Sequence, residues 1–274
     1  MSVFRCFSRK RAAVAALLLF PLPAFAAEPL EGAQKPYYMW FWDDSGKMLS
    51  SPARGDGGYW GRFAATLAVA GALYANDGEI ARKITADKDG RKDEFAKWGE
   101  RMGNGAYILP ALALTYAGGW AAGSDSAMDT AKLAFESAVL SAAAVQVVKL
   151  SAHRHRPNDG DGAYQWDGPD FLDNNRDSFP SGHSAGIFSV ASVIAGRYGE
   201  ENPWVAPLVY SLAAITPLSR VYDEKHWASD AFMGSAIGYF TGKALVSYHG
   251  GGALSIHPAY SEEGPMLAFT YNFP

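Results

Sequence analysis

Five stretches of this 274-residue chain are apolar over lengths that suit packed helices: Ala106 to Ala117, Met128 to Leu150, Ser181 to Tyr198, Trp204 to Leu218 and His226 to Tyr248. Segments of that kind bury a face only against one another, so the chain reads as an all-α helical bundle. Gly61 to Ala75 extends the series. Glu79 to Met102 predicts two short amphipathic helices broken near Asp89-Gly90. On the segment from Met128, the residues Phe135, Val139, Ala142 and Val145 recur at helical spacing and Lys149 continues the stripe. A lysine at the end of an apolar face must reach solvent or an anion. Two of the stretches are nearly free of charge but contain proline, and mean hydropathy is −0.10. A water-soluble bundle is therefore preferred over membrane insertion.

The ends differ from the middle. Residues 1–26 read as a secretory signal: Arg5, Arg9, Lys10 and Arg11, then the apolar run Ala12 to Phe20, then Ala24-Phe25-Ala26 as a cleavage site. Removing them takes away four positive charges and no acidic ones, which moves the formal charge from −4 to −8. It also removes Cys6, the single cysteine, and with it disulfides, thiol nucleophiles and thiolate metal sites. Residues 27–58, rich in Gly, Pro and aromatics, are expected to be an irregular lead-in to a helical domain over 59–248. Residues 249–274 are expected to form a small β-hairpin packed on the bundle. No basic stripe follows the first dozen residues, so nucleic acid is not expected as a partner.

Three segments gather the chemistry. The first runs from Lys149 through Arg156-Pro157, the second is Pro180-Ser181-Gly182-His183, and the third is Ser219-Arg220 followed by His226 and Asp230. Lys149, Arg156 and Arg220 supply three cations for the oxygens of a phosphoryl group, whose transfer is mostly positioning and charge stabilisation. Pro180-Ser181-Gly182 reads as a turn opening a helix. Its backbone N–H groups and the Ser181 hydroxyl suit an anion, and Gly182 allows close approach. His226 and Asp230, four apart, are expected on one helix face, with the carboxylate fixing the imidazole tautomer of a nucleophile. His183 is then available as general acid. These segments show no metal-ligand spacing, and neither metal nor cofactor is expected. The Asp-rich stretch from Asn158 to Asp177 reads as a loop over the site.

Together the three segments resemble the signature of the type 2 phosphatidic acid phosphatase superfamily: Lys, six residues, Arg-Pro; Pro-Ser-Gly-His; Ser-Arg, five residues, His, three residues, Asp. The likeness covers roughly residues 128–245. It implies a helical bundle with the phosphatase site at helix ends. It also implies a phosphohistidine on His226, oriented by Asp230, with His183 protonating the leaving group and later activating water. Lys149, Arg156, Ser181, Gly182 and Arg220 would hold the phosphate. The expected substrate is a phosphorylated lipid or a small phosphate ester, met in the periplasm, or at the membrane as an alternative. One departure bears on the subfamily: secreted nonspecific acid phosphatases carry Gly-Ser-Tyr where this chain has Asp177-Ser178-Phe179. Two other functions fit the same residues. One is a vanadium-dependent haloperoxidase, which shares this phosphate site. The other is a non-catalytic phospholipid-binding envelope protein, for which an intact His226–Asp230 pair would be superfluous.

Overall fold

The computed structural model describes residues 36–86, 88–169 and 177–249 with their side chains. The signal expected over 1–26 and, apart from His249, the hairpin expected over 249–274 lie outside those residues. From 36 to 249 every regular element is helical. In chain order these are α1 Tyr37–Arg54, α2 Gly57–Thr85, α3 Gly90–Gly103, α4 Gly105–Ala122, α5 Asp125–Ala152, α6 Gly182–Tyr198, α7 Val205–Tyr222 and α8 Ala228–His249, with a short 3-10 turn at Pro157–Asp159.

Local chemistry sets the boundaries. Asp56, Asp89, Asn104, Ser124 and Ser181 each stand just before a helix and accept a backbone N–H of its first turn. Gly123, at a φ of 68°, ends α4 in the left-handed conformation that glycine tolerates. The break expected near Asp89-Gly90 is present, with Asp89 capping α3.

The lead-in is a correction. Tyr37–Arg54 is one helix, because Tyr37, Trp40, Asp44 and Met48 fall on a single face. Trp40 enters the main core with Leu133, Val193 and Leu245, and Tyr37 and Met48 pack against it. The aromatic density that suggests an irregular segment is this helix's buried stripe. The face of α5 is a second correction. Leu133, Ser137, Ser141, Val145 and Lys149 line its buried side, whereas Phe135 and Val147 are exposed. Small polar residues share the buried side with apolar ones, while some apolar residues face outward.

α8 packs against α6 backbone to backbone. A Cβ placed on Gly234 would lie 2.1 Å from the Ser181 carbonyl oxygen, and one on Gly238 would lie 2.2 Å from that of Ala185. On α3, a Cβ on Gly103 would fall 2.8 Å from the His183 carbonyl oxygen. These close approaches gather the N-terminus of α6, the N-terminus of α8 and the end of α3 around one point.

Candidate active site

The three sequence segments meet at that point. Lys149 comes from the last turn of α5, Arg156 from the loop after it, Ser181 and His183 from the start of α6, and Arg220 from the last turn of α7. His226 stands in the turn before α8. Its ring is buried, and Lys149, Arg156 and Arg220 each disfavour a proton on it. Burial does so first and most, which leaves His226 neutral at ordinary pH, its pKa well below 6.5.

Its tautomer follows from one contact. His226 Nδ1 lies 2.6 Å from the Ser178 carbonyl oxygen. A carbonyl only accepts, so Nδ1 carries the hydrogen and Nε2 keeps a lone pair. This corrects the expected role of Asp230. α8 begins at Ala228, so His226 lies outside it and the two residues share no helix face. Asp230, the third residue of α8, accepts the N–H of Trp227 at 2.9 Å, in the manner of the acid in a capping box. It also accepts the Ser178 hydroxyl at 2.5 Å and Arg154 at 2.5 Å. Asp230 therefore holds His226 at one remove, through residue 178. Burial pushes the Asp230 carboxyl up, and Arg154 with the other donors pulls it back.

Arg154 carries no signal in the sequence segments, yet it is completely buried at the centre of this framework. Its guanidinium bridges Asp230 and Asp77, the latter at 2.8 Å, and donates to the Ala163 carbonyl and the Ser229 hydroxyl. Tyr74, Trp166 and Trp227 surround it, with ring centroids 4.8, 5.0 and 5.4 Å away. Asp77, from α2, also accepts the backbone N–H and the hydroxyl of Ser229. Trp166 thus packs on the framework through Arg154. His155 is buried and meets Asp161 at 2.7 Å and Asp167 at 3.1 Å.

The groups expected to hold phosphate lie close together and include donors unpaired among the described residues. Ser181 Oγ accepts from the Ser184 N–H and hydroxyl, so its own hydrogen is left to donate elsewhere. A Cβ on Gly182 would meet only Val145, at an ordinary 3.8 Å, so packing alone does not demand glycine there. The Nε atoms of Arg156 and Arg220 and His183 Nε2 are buried without a hydrogen-bond partner among the described residues. The nearest carboxylate to His183 is Glu100 on α3, 3.5 Å away at ion-pair range. Burial, then Arg220, lowers the pKa of His183, and Glu100 raises it. Asp177 occupies the two other cations: it sits 2.7 Å from Arg156 and 3.3 Å from Lys149, whose Nζ also donates to the Asp177 carbonyl. Asp177 is one of the two residues, with Phe179, at which the chain departs from the pattern of the secreted acid phosphatases.

A family model described as the PAP2 superfamily matches residues 131–251. A lipid A 1-phosphatase from Porphyromonas gingivalis is 39% identical over 66 residues, which is 24% of this chain and 15% of that protein. The match thus spans well under a quarter of that relative's length. Among solved structures, a transmembrane PAP2 type phosphatidylglycerolphosphate phosphatase from Bacillus subtilis is 18% identical and aligns with 68% of this chain and 92% of its own, at a TM-score of 0.50. That likeness speaks for the fold. Aquifex aeolicus LpxE aligns with 62% of this chain and 94% of its own at 22% identity and a TM-score of 0.48.

Proposed function

With residues 131–251 a member of the PAP2 superfamily, we propose that this chain is a phosphatase acting on a phosphorylated lipid, through a phosphohistidine on His226. The observation that carries the reading is the His226 tautomer. Nδ1 is committed to the Ser178 carbonyl, and Nε2 is free beside three cations. In the first step Nε2 attacks phosphorus and the bond to the leaving oxygen breaks. Protonated His183 gives its proton to that oxygen. In the second, His183 takes a proton from water, the hydroxide attacks phosphorus, the P–N bond breaks and inorganic phosphate departs. Lys149, Arg156, Arg220, the Ser181 hydroxyl and the N–H groups at the start of α6 hold the equatorial oxygens throughout. These cations serve in place of a metal.

Two observations favour a lipid over a soluble ester. The relatives named above act on lipid A and on phosphatidylglycerolphosphate. Trp60, Phe63 and Leu67 on α2, with Leu109, Tyr116 and Trp120 on α4, form outward apolar stripes at helical spacing. The preference for a freely soluble bundle is revised accordingly: the chain works at a membrane surface. Only α5 among the described helices is long and apolar enough to cross a bilayer, by length and composition, and 44% of its apolar window is buried inside the bundle.

The test is hydrolysis of an aryl phosphate and of lipid A and phosphatidylglycerolphosphate in detergent, by wild type and His226→Ala, with rapid quenching to trap phosphoenzyme. The reading requires an acid-labile, base-stable phosphoenzyme in wild type that the variant lacks. Turnover that persists in His226→Ala would overturn it.

A further inference from the structure

Far from the phosphate site, three buried side chains from three helices converge: Asp44 of α1, Glu136 of α5 and His249, the last residue of α8. One oxygen of each carboxylate and one imidazole nitrogen all lie within 4.8 Å of one another. We propose that this trio is a structural binding site for a divalent transition-metal cation, of the Zn2+ or Mn2+ kind, that ties α1 to the bundle.

Three observations carry it. First, both carboxylate oxygens of Glu136 are buried with no hydrogen-bond partner among the described residues, and the residue is wholly inaccessible. A carboxylate out of water and unpaired is costly, and a coordinated cation removes that cost. Second, the direct contacts of the neighbouring basic groups go to one of the two acids. Lys47 reaches Asp44 at 3.1 Å, and His249 Nε2 meets the other Asp44 oxygen, but Glu136 receives neither contact. Third, the donor set is one imidazole and two carboxylates, which suits these metals and leaves at least one position for water. Ligands about 2.1 Å from a tetrahedral ion stand roughly 3.4 Å apart, so Asp44 and His249, in direct contact here, would part slightly to admit the ion.

The surroundings favour a fixed ion. Trp40 lies against the His249 ring, centroids 4.6 Å apart, which restrains the ligand. The C-terminal end of α8 contributes its negative dipole. His249 is nineteen residues along the same helix from Asp230, roughly 28 Å at the helical rise. A cation here cannot touch the reacting phosphate, so its role is to hold helices, and α1 lies outside the family-matched region.

The test uses the full chain, treated with chelator and then given Zn2+ or Mn2+, with bound metal counted by mass spectrometry and Tm recorded. Wild type is expected to retain about one equivalent and to gain roughly 5–10 °C in Tm when metal is in hundredfold excess over Kd. His226→Ala should behave the same, which separates this site from catalysis. Glu136→Gln keeps the side-chain shape and removes the buried charge, so it should fold yet lose both the equivalent and the Tm gain. Should His249→Gln not fold, Co2+-loaded wild type supplies the second reading, through visible absorption bands of a low-coordinate N/O site that Glu136→Gln lacks. Wild type that retains no metal, or Glu136→Gln that binds as wild type does, overturns the proposal.

Discussion

The hydrogen bond from His226 to a backbone carbonyl moves the sensitivity of the nucleophile onto residues that never meet substrate. Arg154 is the clearest case, because one guanidinium satisfies Asp77 and Asp230 together. Arg154→Lys keeps the charge but cannot fork to both acids. It is expected to cost about 2 kcal/mol in denaturant unfolding and to lower kcat about tenfold with KM little changed, since the phosphate cations remain. Equal loss in KM would instead place Arg154 among the binding groups. The two histidines set the pH profile. kcat/KM rises as His226 loses its proton and falls as His183 loses its own. Both are pulled below 6.5, His226 further, so the maximum is expected below pH 6.5. Glu100→Gln removes the carboxylate that helps His183 keep its proton, and the alkaline limb should move to lower pH. An unmoved limb would remove His183 from the role of acid. Asp177, already paired with Lys149 and Arg156, competes with substrate for them. Asp177→Asn should tighten inhibition by inorganic phosphate several-fold, read from initial rates on an aryl phosphate. At this scale the sequence segments named the groups that the fold gathers around His226. They did not reveal Arg154, whose partner Asp77 is 77 residues distant. Nor did they reveal that a helix starting at Ala228 separates His226 from the face of Asp230. The Arg154 contact is too remote in the chain to leave a local pattern, and a four-residue spacing does not show where the helix starts.

Among the elements, the junction of α6 and α8 does most to position the site. Gly234, Gly238 and Gly242 are spaced by four on α8 and bring it onto α6, where a Cβ on Gly242 would lie 2.6 Å from the Ser192 side chain. The same contact line carries Ser181, whose N–H donates to the Asp230 carbonyl at 3.0 Å. Any sideways shift of α8 therefore moves the phosphate turn relative to His226. Gly238→Ala, whose Cβ would meet backbone atoms of Ala185 and Ser189, cannot be relieved by a rotamer change. It should destabilise the fold by about 3 kcal/mol, measured by chemical unfolding, and reduce activity even where the protein remains folded. Gly182→Ala, by contrast, meets no such obstacle within the protein. Its stability should stay near that of wild type while phosphate binding weakens. Helix positions were readable from caps and apolar length. The small-residue seam was not, because a stripe of Gly and Ser on an apolar helix looks the same whether it faces a neighbour or nothing.

For the whole molecule, the distribution of apolar and polar residues is inverted along part of its surface. The interior of α5 is lined by Ser137, Ser141 and Glu136, while the outer sides of α2 and α4 show Trp, Phe, Leu and Tyr. A bundle in water gains from burying those aromatics, so their exposure calls for an apolar phase against them. This also explains why the sequence suggested a soluble protein: the buried serines and scattered charges hold mean hydropathy at −0.10, and an average cannot tell which side of a helix each residue takes. If a membrane covers these stripes, replacing Trp60, Phe63 and Leu67 together by serine should abolish co-flotation with phospholipid vesicles. Turnover of a water-soluble aryl phosphate should remain within about twofold, because even Leu67 is ten residues before Asp77 on α2, about 15 Å at the helical rise. Activity on a long-chain lipid phosphate in vesicles should fall much further than that. Retained flotation, or equal loss on both substrates, would mean that these aromatics support the fold and not the approach to lipid.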